Sequence, residues 1–287
     1  MSRLRRGLAP YLLVLPGGLW LVLFFAVPMI TMLSLSLQQG DIVNGYAFTG
    51  HWQTYVDAIG NYRTQLFRSL IYGAIATVVL IVVAFPVSYW IAFYGGRRKA
   101  TYLFLLLLPF FVSFVLRTIS WRQILTDEGP VLGPLKDLGL LGSSFHVLGT
   151  PFAVIAGLVY NFLPFMVLPV YVALERIDPR IIEAARDLYA DPATAFRKVI
   201  LPLALPGVFA GVLMTFVPAS SDYVNSAVLG SSSTTMIGQV IQAQYLATAD
   251  YPTASALSFV LMAVLLIGVF AYARALGTED VMKVAAR

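Results

Sequence analysis

The sequence predicts an all-α integral membrane protein with six transmembrane helices and both termini cytoplasmic. Three observations carry this. Only 11% of the 287 residues are charged and 59% are hydrophobic, whereas a soluble domain usually carries about 25% charge. The apolar residues gather in six stretches that match the roughly 20 residues a helix needs to cross about 30 Å of hydrocarbon. The basic residues, finally, collect on one set of connections.

The first span runs from Tyr11 to Leu37. It follows an Arg-rich arm, but its apolar run is too long for a secretory signal and no small-residue cleavage site closes it, so it is expected to remain as a span. The second covers Leu70 to Tyr94, the third Tyr102 to Ile119, and the fourth Pro151 to Leu174. A fifth extends from Leu203 to Tyr223 and a sixth from Ala254 to Ala275. Between these last two, Asn225 to Tyr251 is uncharged until Asp250 and rich in Ser, Thr and Gln, which reads as a loop carrying a short helix. Pro109, Pro164, Pro169 and Pro218 are expected to kink their helices, which a membrane bundle tolerates where neighbours re-satisfy freed backbone groups. Gly207 and Gly211 form a small-xxx-small pair suited to close helix packing. Residues 1–287 read as one transmembrane domain, with no long repeat or linker.

Orientation follows from the cations. The N-terminal arm holds Arg3, Arg5 and Arg6, and the second connection Arg97, Arg98 and Lys99. The fourth connection holds Arg176, Arg180, Arg186, Arg197 and Lys198, and the tail Arg274, Lys283 and Arg287. These are 14 of the 19 basic residues, and the positive-inside tendency places them in the cytoplasm. The pI near 9.4 is thereby a matter of topology rather than of nucleic-acid binding.

Several chemistries are excluded or disfavoured. Without cysteine there is no disulfide framework and no thiolate nucleophile or ligand. His51 and His146 stand far apart and outside the spans, so neither a metal site nor an intramembrane catalytic centre is expected. A secondary transporter or channel would favour inverted repeats and several membrane carboxylates.

The connection from Glu175 to Pro202 concentrates charge and reads ERIDPRIIEAARDLYADPATAFRKVILP. Asp178-Pro179 and Asp191-Pro192 are two helix starts, because Asp caps free N–H groups and Pro at the first helical position has no N–H to orphan. Ile182, Ala185 and Leu188 then share one face, as do Phe196 and Ile200. Two short helices joined by a turn are expected; taken alone, the pattern also suits a solvated amphipathic connector at the membrane surface.

Glu183-Ala184-Ala185, three residues, Tyr189, nine residues and Val199-Ile200-Leu201-Pro202 resemble the EAA loop of ABC importer permeases, with Tyr189 in place of the family's Gly and Val199 in place of its Ile. The resemblance implies a type I importer permease of the inner (plasma) membrane, in which this loop couples to a separate ATPase. It puts Glu183, Ala184, Ala185, Asp187, Tyr189, Ala190, Asp191 and Pro192 at the coupling surface. No Gly-x-x-x-x-Gly-Lys-Ser/Thr phosphate loop occurs, so the chain is not expected to be an enzyme or to hold a cofactor of its own. ATP and Mg belong to two copies of the partner ATPase. A second, different permease subunit, an extracytoplasmic solute-binding protein and membrane lipids complete the implied partners.

Leu116 to Trp121 (LRTISW), Ser221 to Tyr223 (SDY) and the apolar segments around them are similar to permeases of the spermidine/putrescine group. Importers of the same class for ferric iron, thiamine, phosphonates or opines share much of this pattern. A polyamine site should combine carboxylates with aromatic faces, and an ionisable group near membrane depth usually marks a pathway. Asp222 lies about 20 residues beyond Pro202, roughly 30 Å up a helix, with Tyr223 beside it and Trp121 at the outer end of the third span. Each also suits an interfacial position. Arg117 is expected to pair with Asp222 or Asp127 or to snorkel outward; for an anionic solute it would be a ligand. Asn161 is either an interhelical hydrogen bond or a substrate contact.

Overall fold

The computed structural model describes residues 14–142, 144–187 and 191–275. The sequence readings on Tyr11, on Leu188, Tyr189 and Ala190, and on the terminal cations Arg3, Arg5, Arg6, Lys283 and Arg287 lie outside these residues. Of the described residues, those from 14 to 63 together with Ile241–Met262 form one compact unit, and those from 64 to 240 with 263 to 275 form another.

Helix α1 (Val14–Ser36) is mostly apolar and largely exposed, with Ser36 buried at its end. A tight hairpin follows, β1 (Gln38–Asp41) against β2 (Gly45–Phe48), which hydropathy did not reveal. Its turn is held by Asp41, whose Oδ1 accepts from the backbone N–H groups of Asn44 and Val43 at 2.7 and 2.8 Å. Bonds from Asn44 to the carboxylate keep it below the usual range.

Helix α2 (Gln53–Tyr94) runs for 42 residues, about 63 Å at 1.5 Å each. The expected second span is its C-terminal part; the polar lead from Gln53 is helical as well.

The third span departs from expectation. Helix α3 (Lys99–Leu107) tightens into a 3-10 turn at Leu108–Phe111, the backbone becomes extended at Val112 and Ser113, and α4 (Phe114–Leu125) leaves at 88°. Pro109 is the physical reason, since it lacks the N–H that would continue the helix. After the short α5 (Leu132–Asp137) comes α6 (Pro151–Glu175), capped by Thr150, whose hydroxyl accepts from the Ala153 N–H at 3.3 Å. Pro164 and Pro169 lie within it.

Helix α7 (Pro179–Asp187) precedes α8 (Pro192–Ser220). The second short helix expected after Asp191 is the first turn of α8, joined through a π-turn at Phe196–Ile200. The fifth span is therefore longer at its start and ends at Ser220 rather than Tyr223. The following stretch is not mainly loop: α9 (Val224–Leu229), a 3-10 turn (Ser232–Thr234) and α10 (Ile237–Leu246) fill it before α11 (Tyr251–Ala275).

Among the described residues five helices are long and apolar enough to cross a membrane, and a sixth crossing arises if the bent pair is one span. The main core of the second unit brings α2, α6 and α8 together through Leu80, Leu158, Met166, Val170, Ala204 and Val208. Gly207 and Gly211 permit this approach: a Cβ on the first would sit 2.5 Å from the Ala173 Cβ, and one on the second 2.5 Å from the Met166 sulfur. Ser88 on α2 also donates to the Val167 carbonyl at 3.0 Å.

Candidate functional site

Two features stand out, an exposed helix between spans and a buried polar chain. The exposed helix is α7. Asp178 starts it as expected, its Oδ1 accepting from the Arg180 N–H at 2.9 Å and its carbonyl from Ile181 at 3.0 Å. Glu183, Ala184 and Asp187 face outward, while Ala185 is half-buried and Ile182 packs on the main core. Both flanks are anchored: Ile177 and Ile200 are buried, and the Phe196 ring meets Phe85 edge-on at 5.5 Å. Asp191 and Pro192 open α8 as exposed residues, with the Asp191 carbonyl accepting from Ala195 at 2.9 Å. Lys99 and Glu175 join the start of α3 to the end of α6 at 3.4 Å. The result is a short helix with a polar outer face on a fixed footing, able to bind a partner but holding no reactive constellation.

The buried chain begins at Asp222, which is 8% exposed. Its Oδ1 accepts from the Asn225 backbone N–H at 2.7 Å and from Asn225 Nδ2 at 3.2 Å. Asn225 Oδ1 in turn accepts from Asn161 Nδ2 at 3.1 Å, and the same amide donates to Thr118 Oγ1 at 3.1 Å. Four residues thus tie α4, α6 and α9 together, and Asn161 does form the interhelical hydrogen bond that was one of its two readings. Its Oδ1 is buried without a donor. Replacing Asn161 by Ala is expected to cost about 1–2 kcal/mol, seen as a lower unfolding temperature of the solubilised protein.

Arg117 does not pair as expected. Asp127 meets Lys136 at 3.1 Å, and Arg117 instead lies on ring faces, its guanidinium carbon 4.2 Å from the centre of Phe110, 5.8 Å from Tyr160 and 5.9 Å from Phe114. Its Nε and Nη1 are buried without a hydrogen-bond partner. Trp121 meets Tyr160 at 5.3 Å and packs on a small buried cluster around Leu132 and Leu229. Tyr223 is 44% exposed. The structure therefore gathers Arg117 and Trp121 around Tyr160, links Asn161 to Asp222, and leaves Tyr223 outward.

Sequence reasoning missed Thr118, Asn225 and the rings of Phe110, Phe114 and Tyr160. The three-residue step from Asp222 to Asn225 was a readable cap signal, obscured by the polar stretch around it. That stretch satisfies itself: Ser226 donates to Gln239 at 2.7 Å and accepts from the Met236 N–H at 3.0 Å, while Ser69 on α2 accepts from Ile237 at 2.7 Å.

The family model described as binding-protein-dependent transport system inner membrane component matches residues 8–276. The chain belongs to that family. Among curated relatives, the spermidine/putrescine transport system permease protein PotB of Haemophilus influenzae is 34% identical over 257 residues, covering 89% of this chain and 90% of that one. PotB of Escherichia coli K12 is 33% identical, covering 89% and 94%. The inner membrane ABC transporter permease protein YdcU of Escherichia coli K12 is 33% identical over 76% of this permease and 72% of its own length. Solved structures share the fold. One is a bacterial ABC transporter involved in the import of the acidic polysaccharide alginate, with a TM-score of 0.77, 18% identity and 96% coverage of both chains. An inward-facing MetNI methionine transporter gives 0.54 at 21% identity, covering 77% of this permease and 94% of that chain. A multi-pass inner membrane permease is thus the family context for α7 and for the buried chain.

Proposed function

We propose that this chain is the permease subunit of an ATP-driven ABC importer for polyamines of the spermidine and putrescine class. The observation that carries the substrate is the identity of 34% and 33% to two PotB permeases over 89% of this chain. In this reading the bent pair counts as one crossing, so six crossings leave both termini in the cytoplasm, in keeping with the one-sided cations. The permease works beside a second, different permease subunit, above two copies of an ATPase that bind ATP and Mg, and below an extracytoplasmic binding protein. The loop of residues 175–202 is the coupling element. ATP binding closes the ATPase pair, α7 moves with it through the surface around Glu183, Ala184, Asp187 and Asp191, and the spans reorient to face the binding protein. The ATPase drives this because its docked state binds one permease conformation better than the other. On the pathway, Asp222 supplies a carboxylate and Asn161 an acceptor for a cationic solute, with Trp121 and Tyr223 as aromatic neighbours.

A second reading, an importer of the same class for a carboxylate-bearing solute, draws on the two unpaired nitrogens of Arg117. Proteoliposomes holding the complete assembly with its binding protein separate the two. Spermidine or putrescine is expected to enter with ATP and to stimulate hydrolysis; if neither does while an anionic solute does, the second reading replaces the first.

A further inference from the structure

We propose that the aromatic box of Phe110, Phe114 and Tyr160 is a subsite for an aliphatic ammonium group, and that Arg117 is a resident cation which the incoming ammonium displaces. The inference rests on the polyamine reading. All three ring centres lie within the roughly 6 Å over which a cation is attracted to a ring face, at 4.2, 5.9 and 5.8 Å from the guanidinium carbon. No carboxylate is paired with Arg117 among the described residues, and two of its nitrogens are buried without an acceptor. The guanidinium thus occupies a site built for a cation while forgoing hydrogen bonds that water would supply.

Exchange of one cation for another keeps the charge of the box constant. The released guanidinium regains water, and the ammonium gains the rings. The box and the buried polar chain share two helices: Arg117 and Thr118 are consecutive on α4, as are Tyr160 and Asn161 on α6. One ligand with ammonium groups a few methylenes apart can therefore meet the rings with one and the acceptors with another, Asn161 Oδ1 being an acceptor without a donor. Phe110 and Phe114 stand on opposite sides of the 88° break, so exchange of the cation replaces the group that bridges the bend.

The test is equilibrium binding of radiolabelled spermidine to the complete transporter in nanodiscs without binding protein, run beside uptake by the unaltered assembly. Arg117→Gln is expected to tighten Kd about threefold or more, the scale of one partly exposed cation–π contact. Adding Phe110→Leu to that variant is expected to weaken Kd again. Should Arg117→Gln fail to assemble, Arg117→Lys keeps the charge but stacks less well, and its Kd is expected to be tighter than that of the unaltered protein. An unchanged or weaker Kd in whichever Arg117 variant assembles overturns the subsite, as does a Phe110→Leu change without effect. If the unaltered assembly transports spermidine, that failure is the subsite's alone; if it transports no polyamine, the substrate reading falls and the subsite with it.

Discussion

Replacing Glu183 by Ala is expected to cut ATP-driven uptake by about tenfold or more at unchanged membrane abundance. Glu183 is exposed on α7, and an exposed Glu-to-Ala change in a helix alters stability by only about 0.5 kcal/mol or less. The helix keeps its footing without it, because Asp178 caps the start and Ile182 packs on the core. Any large loss must then come from what the outer face touches. Truncating one partner of a desolvated, hydrogen-bonded charge contact costs about 2–5 kcal/mol, which is at least tenfold. Uptake and substrate-stimulated ATP hydrolysis in the same proteoliposomes measure it. Both are expected to fall together, and full uptake by the variant would remove α7 from the coupling path.

At Asp222 two substitutions give different outcomes. Asp222→Asn keeps an oxygen for the Asn225 N–H groups, so stability is expected to stay near normal. It removes the negative charge, and loss of a hydrogen bond to a charged group is worth about 1.5–3 kcal/mol, so spermidine uptake is expected to drop tenfold or more. Asp222→Ala also strands the N–H of Asn225, a residue with no exposed surface. That adds about 1–3 kcal/mol of destabilisation, visible as a lower unfolding temperature. Normal transport by Asp222→Asn at saturating binding protein would make Asp222 a helix cap and nothing more.

What was legible in the chain was what hydropathy and caps encode. The apolar stretches, the starts at Asp178 and Asp191, and the close approach at Gly207 and Gly211 all follow from residue type and spacing. Direction was hidden: an apolar run looks the same straight or broken, and only Pro109 marked where α3 and α4 part. The segment after Ser220 was hidden for the opposite reason. Its Ser, Thr and Gln residues look solvated in sequence but bond to one another, so a polar stretch forms helices inside the protein. The candidate site was legible at Asp222, Asn161 and Arg117 as separate residues. Their partners were not, because Thr118, Asn225 and the three rings come from elements whose meeting depends on the break.

Helix α4 has twelve residues, about 18 Å of length, well short of the roughly 30 Å hydrocarbon layer. A full span answers a thicker or thinner bilayer by changing its tilt. A helix too short to reach both surfaces cannot answer by tilt alone, and α4 takes its bearing from Thr118 on Asn161 and from Arg117 on the rings. The element that holds the cation is thereby positioned by protein contacts, so a change of acyl chain length should reach Arg117 only through α6, the long span that carries Tyr160 and Asn161.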